Sequence, residues 1–199
     1  MSITPQLVMN VLVKAGVKQW MLLDAQLYGQ VSLQTPTTCD VKVLVALNER
    51  QTAVSAIRTT WPTLLVKNYS EVARFCDPHA FGLNGLPRRA IDLVVPFFGY
   101  QRDVLEYGVR SSDDVEWRIP TLEAVLVLNY ATMISFFPEM TERESAARDF
   151  RRIARANYDQ IDRDSLRRLA KQVWEDAADD IEHFLGIAMS NQQFVLPVA

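Results

Sequence analysis

Cysteine and histidine are almost missing from this chain of 199 residues, with two of each. Two cysteines, Cys39 and Cys76, are too few for a disulfide framework or a zinc site, and both read as small buried packing residues. His79 falls in a predicted turn and His183 on a predicted late helix, positions that ask for neither ligand nor acid–base duty. There is no run of about 18 apolar residues, which excludes a helix that spans a bilayer. The opening Met1-Ser2-Ile3-Thr4-Pro5 lacks the basic-then-apolar layout of a signal peptide, so the expected location is cytoplasmic, with no membrane partner. A basic excess is also lacking: 21 Lys and Arg stand against 24 Asp and Glu, a formal net charge of −3. That balance argues against a protein devoted to coating nucleic acid and leaves room for a local basic patch. No internal repeat and no low-complexity segment is visible.

What the chain does have is apolar content. At 49% hydrophobic and 23% charged residues it can bury the core of one compact globular unit in two parts. Leu7, Val8, Val11 and Leu12 repeat at helical spacing between Thr4 and Ala15, and Gly16 follows where a helix would stop. A short strand is predicted at Gln19 to Leu23, a helical turn at Ala25 to Gly29, and a polar, proline-interrupted loop at Gln30 to Thr38. Asp40 to Leu47 reads as a strand buried on both faces. Asn48 is placed to cap a helix from Glu49 to Thr60, with Ala53, Val54 and Ile57 inward and Trp61-Pro62 ending it. Two β segments, Leu64 to Val66 and Val72 to Cys76, precede a turn-rich loop marked by Asp77-Pro78, Gly82 and Asn84-Gly85. Arg89 to Val95 is a β-branched strand with Ala90, Asp92 and Val94 on one face.

From Pro120 the pattern becomes helical. Thr121 precedes Leu122 to Met133, apolar almost all round and so central to the packing. Thr141 and Glu144 have capping-box spacing, followed by the stripe Ala146, Ala147, Phe150, Ile153 and Ala154. Asp162 or Asp164 starts a third helix with Leu166, Leu169 and Val173 inward. Trp174 to Leu185 continues it or forms a fourth, and Gln192 to Ala199 is a tail. The expected class is α+β, with a small mixed sheet flanked by helices over residues 1–118, a helical part packed on it over 119–190, and a tail at 191–199.

Chemistry concentrates on Thr38-Cys39-Asp40-Val41-Lys42. Residues two apart in a strand share a face, so Asp40 and Lys42 are predicted to point the same way. In the later strand, Asp92 is costly to bury unless it meets a partner.

The order of Thr38-x-Asp40 and Ile91-Asp92-Leu93 resembles the nucleotidyltransferase superfamily, in particular the minimal bacterial branch that includes AbiE-type toxins. The resemblance extends through Tyr28-Gly29, through Ile119-Pro120-Thr121-Leu122-Glu123, and through Arg148-Asp149-Phe150 followed by Ile161-Asp162. It implies a nucleotidyltransferase-like fold in which three carboxylates hold two Mg²⁺ ions that clamp a nucleoside triphosphate and activate a hydroxyl. Carried over by position, Asp40 is the first carboxylate, Lys42 occupies the second and Asp92 is the third. Asp24, Thr38, Arg148 and Asp149 are the implied nucleotide-binding residues, and Asp40 and Asp92 the remaining metal ligands.

Lysine in the second place changes the local charge by two units, and each unit contact at 4 Å and an effective dielectric of about 20 is worth on the order of 4 kcal/mol. Lys42 therefore opposes metal, and its ammonium is expected to pair with Asp40 and Asp92. Other departures fall on the same site. Met21-Leu22-Leu23-Asp24-Ala25 has no glycine where the family has a phosphate cradle, Pro36 takes the usual basic place before the Thr, and Asn129 takes that of a helix lysine. Asp24 reads either as a helix N-cap or as a replacement carboxylate.

Arg148, Arg151, Arg152 and Arg155 lie along one side of their helix. With acids interleaved, they read as a salt-bridged, solvated face, with phosphate or RNA contact as the alternative. Phe97-Phe98-Gly99-Tyr100 and the four tryptophans read as packing. The expected function is a nucleotidyltransferase-fold protein with a degenerate metal site, inactive or repurposed to bind a nucleotide or a protein partner. Two other readings stand beside it: an active Mg²⁺-dependent enzyme moving a nucleotide to a hydroxyl, and an α/β scaffold with no ligand site.

Overall fold

The computed structural model describes residues 3–23, 41–82, 85–112, 115–136, 140–190 and 192–196. The predicted helical turn at 25–29, the loop at 30–38 and the start of the Asp40 strand lie outside them. The described residues group into two compact units.

The first unit is built on a five-stranded sheet. Helix α1 (Pro5–Lys14) starts at Thr4, whose hydroxyl accepts the Leu7 N–H, and stops at Gly16, which takes the left-handed φ of 75° that favours glycine. Strands β1 (Trp20–Leu22) and β2 (Val41–Val45) pair antiparallel. Helix α2 (Arg50–Thr60), the strands β3 (Leu65–Asn68) and β4 (Val72–Phe81), and β5 (Pro87–Val94) follow. The sheet order is β1-β2-β5-β4-β3, and only β2 and β5 run parallel. Strands β6 (Val109–Ser112) and β7 (Val115–Pro120) form a separate two-stranded sheet.

One face of the large sheet is the core. Val43, Phe75, Ile91 and Leu93 meet Val8 and Leu12 of α1 and Ala53 and Ile57 of α2, all fully buried. Two charged side chains fasten loops to this frame. The Glu49 carboxylate accepts the N–H groups of Lys18 at 3.0 Å and Gln19 at 2.7 Å, and Arg50 donates to the carbonyls of Tyr69 and Ser70.

Three expectations for this unit need correction. Asn48 does not cap a helix from Glu49: Leu47–Glu49 is a 3-10 turn, α2 begins at Arg50, and no side chain caps it. The Asp77-Pro78 stretch is strand instead of loop. Beyond Cys76 the strand β4 has outrun β3 and pairs on one side only, with a register shift between Asp77 and Phe81. There the missing proline N–H costs no ladder bond. A second irregularity, between Phe75 and Cys76, leaves Ala90 on the core face with Ile91 instead of beside Asp92.

The second unit is helical. It contains α3 (Gly99–Tyr107), α4 (Leu122–Ile134), α5 (Met140–Asn157), α6 (Arg163–Ala170) and α7 (Ala177–Met189). Thr121 caps α4 through the Ala124 N–H, and α4 is buried on nearly all sides, as its composition requires. Glu123 is buried and accepts the Asp162 N–H at 3.0 Å, tying the start of α4 to that of α6. Helix α3 was not legible in the sequence; its buried residues are Val104 and Leu105, and Gln101 reaches back to the Phe98 N–H.

Two consequences are measurable. A Cβ at Gly108 would lie 2.7 Å from the Ala124 Cβ and 2.8 Å from the Val104 carbonyl oxygen, so Gly108→Ala should destabilise the fold by about 1–3 kcal/mol in denaturant titrations. Asp162 caps α6, and the Ser165 hydroxyl with the backbone N–H groups of Ser165 and Asp164 holds its carboxyl below the usual range. A lowered folded-state value means that the cap stabilises fully above the unfolded carboxylate range, near pH 4, and is lost as pH falls through the lower folded value. Thermal melts from pH 6 to 2 should show an acid loss in the native chain that is smaller in Asp162→Asn, which caps without titrating.

Candidate anion site on the open sheet face

The face of the sheet opposite the α1 and α2 core carries the charges. In β2, Val41, Val43 and Val45 turn to the core, so Lys42 and Leu44 turn away from it. Leu44 and Met21 are buried there, whereas Lys42 is exposed. The face is therefore closed at Leu44 and opens one pleat earlier.

Pairing register brings side chains from four strands onto that pleat. Lys42 is the partner of Asp92, Asp92 of Arg74, and Arg74 of Lys67. Directly paired residues share a face with Cβ atoms about 4.5–5.5 Å apart, so Lys42, Asp92, Arg74 and Lys67 form one cross-strand row. Arg89, opposite Cys76, follows on the next pleat of the same face.

Asp92 is 5% exposed, and an unpaired carboxylate there would cost several kcal/mol. Its partner is Arg74. The guanidinium meets both carboxylate oxygens, Nε to Oδ1 at 3.1 Å and Nη2 to Oδ2 at 3.4 Å, the forked geometry that arginine favours. The Arg74 guanidinium also lies 5.6 Å from the centroid of the Tyr69 ring. The expectation that Lys42 neutralises Asp92 is corrected: among the described residues Asp92 is held by Arg74, and Lys42 makes no ion pair. The sequence signal for this was the demand of a buried acid for a partner. Arg74 was missed because its place opposite Asp92 depends on the β4–β5 register, which the Asp77-Pro78 reading concealed.

Asp24, Thr38 and Asp40 lie outside the described residues. Arg148 and Asp149 are on α5 of the helical unit, where Arg148 is exposed and Asp149 pairs with Arg152 at 3.0 Å. The arginine stripe on α5 is mostly used internally. Arg155 donates to the carbonyls of Ala188 and Ser190, Arg151 to that of Gln192, and the Arg151 guanidinium lies 4.5 Å from the Phe194 ring centroid. Arg163 and Arg167 pair with Glu182 and Asp179. Phe98 and Tyr100, stacked at 5.8 Å, belong to the start of α3, and burial pushes the Tyr100 phenol up to about 12.

The described donors do not fit a pair of divalent cations. The row offers one carboxylate, already forked onto a guanidinium, with an ammonium abreast of it. Cations on both sides of Asp92 repel a metal ion and attract an anion.

No protein-family model matches this chain, and no curated protein matches it. Among solved structures it is similar to an antigenic nucleotidyltransferase-like protein from Paracoccidioides brasiliensis, with a TM-score of 0.50 and 10% sequence identity over 91% of this chain and 89% of that one. At that identity the likeness shows fold. The mixed sheet with flanking helices and the helical part that follows are a nucleotidyltransferase-like fold.

The Arg74–Asp92 pair should behave as a partly buried, coupled unit. Arg74→Ala alone leaves a buried carboxylate unpaired and should cost about 2–4 kcal/mol. The double variant Arg74→Ala with Asp92→Ala should cost less than the two single changes together, a coupling read from denaturant midpoints in a double-mutant cycle.

Proposed function

We propose that this protein is a nucleotidyltransferase-fold protein that holds the phosphates of a nucleoside triphosphate on the Lys42–Asp92–Arg74 row and does not carry out metal-dependent nucleotide transfer. The observation that supports this reading is the forked Arg74–Asp92 pair. A carboxylate forked onto arginine has one lone-pair direction on each oxygen taken and its charge already neutralised, so it is a poor ligand for Mg²⁺. Lys42, exposed and in register with it, adds a second cation at the place where the superfamily places an acid. Together the two supply the electrostatic attraction for phosphate that a metal ion would otherwise provide. Asp92 orients the Arg74 guanidinium and keeps it against the sheet. The order of sequence motifs further favours the minimal, toxin-like branch of the superfamily as the origin of the scaffold.

Two measurements test the proposal. Calorimetric titration with a nucleoside triphosphate should give the same affinity in excess chelator and in millimolar Mg²⁺, and Lys42→Glu should weaken it tenfold or more. Incubation with labelled triphosphates, Mg²⁺ or Mn²⁺, and RNA or protein acceptors should transfer no label. Label incorporated by the native chain and abolished in Asp92→Ala would overturn the proposal in favour of an active transferase. Absence of any triphosphate binding, with or without metal, would overturn it in favour of a scaffold without a ligand site.

A further inference from the structure

The cationic row continues past the part that a mononucleotide would use. From Lys42 it crosses Asp92 and Arg74 to Lys67 on the edge strand β3. Three inter-strand steps make this roughly 14 Å, longer than the triphosphate of one nucleotide. Arg89 widens it on the next pleat. Among the described residues the face thus sets Lys42, Lys67, Arg74 and Arg89 against the one carboxylate of Asp92, in a chain whose formal net charge is −3. Other acids nearby do not cancel it: Asp77 stands opposite Arg88 and accepts the His79 N–H, and Glu71 is in the turn between β3 and β4.

An exposed aromatic ring flanks the row. Tyr69, in the β3–β4 turn, is 47% exposed and has the Arg74 guanidinium near its ring. A charged track that follows a phosphate backbone, with a ring at its margin on which an unpaired base can stack, is the combination that takes single-stranded nucleic acid. A duplex offers the backbone without the exposed bases.

We infer that the open face of the sheet, from Lys42 to Lys67 with Arg89 and Tyr69, binds a single-stranded nucleic acid whose phosphodiesters follow the cross-strand row. This rests on the anion-binding reading of the Lys42 row and adds Lys67, Arg89 and Tyr69, which a free triphosphate would not need.

The test is fluorescence anisotropy of the full chain with a labelled ten-residue oligouridylate, set beside binding of a nucleoside triphosphate. The oligonucleotide should bind more tightly than the triphosphate, with a log–log salt slope of about −2 to −3 for three to four neutralised phosphates. Lys67→Glu with Arg89→Glu should weaken oligonucleotide binding tenfold or more and triphosphate binding by a much smaller factor. Tyr69→Ala should weaken the oligonucleotide several-fold and inorganic polyphosphate of similar length not at all. Circular dichroism of each variant should match the native chain, since these side chains are exposed or half-buried. Triphosphate binding without oligonucleotide binding, or an oligonucleotide affinity indifferent to the Lys67 and Arg89 reversals, would overturn this inference and leave the proposed function standing. Failure of both ligands would overturn the two together, and equal loss of polyphosphate and oligonucleotide in Tyr69→Ala would overturn the nucleic-acid assignment.

Discussion

The forked ion pair between Arg74 and Asp92 is the constraint on which the rest of the candidate site depends. Strand β5 lies in the middle of the five-stranded sheet, between β2 and β4, and a carboxylate that is 5% exposed on a central strand must be neutralised. Neutralising it with arginine satisfies both oxygens and cancels the charge of the acid. Lys42 then has no carboxylate partner among the described residues and remains exposed. One local requirement of folding thus leaves Lys42 as an exposed cation beside a neutralised acid, a charge arrangement that favours anions.

The rest of the molecule spends its positive charge differently. In the helical unit, Arg151 and Arg155 hold backbone carbonyls at the end of α7 and in the segment after it, and Phe194 packs against Phe150 and Phe184. Arg163 and Arg167 bridge α6 to α7 through Glu182 and Asp179. Arg143 is buried and donates to the Met133 carbonyl. These arginines act as staples between helices, so the cluster most visible in the sequence is the less available one. The row on the sheet is scattered in sequence over β2, β3, β4 and β5 and becomes a patch only through strand pairing.

That contrast explains what the sequence could and could not reveal. Periodicity made α1, α2 and the stripe of α5 legible, because each buries a face whose spacing is a local property, and α4 was legible as an apolar run behind the Thr121 cap. Asp162 announced the start of α6 because a cap acts within one turn. Helix α3 was hidden because an aromatic run, Phe97 to Tyr100, looks like a strand end and only Val104 and Leu105 mark the buried side. The length of β4 was hidden because Asp77-Pro78 carries a turn signal, and only the absence of a neighbour beyond Cys76 makes proline harmless there. Lys42 and Asp92 were expected to form an ion pair; the register sets them abreast, and the carboxylate goes to Arg74 instead. Arg74 was not found, because cross-strand register depends on long-range pairing that no local pattern encodes. Asp40, Thr38 and Asp24 lie outside the described residues, so their part in the site rests on the sequence resemblance.

The central claim is that a guanidinium and an ammonium stand where metal ions would. It is tested most directly by crystals grown with a nucleoside triphosphate and Mn²⁺, read through the anomalous signal of manganese. The expected result is phosphate density against Lys42 and Arg74, the Arg74–Asp92 fork intact, and no manganese peak at Asp92. A manganese peak bonded to Asp92, with Arg74 turned away from it, would contradict the account.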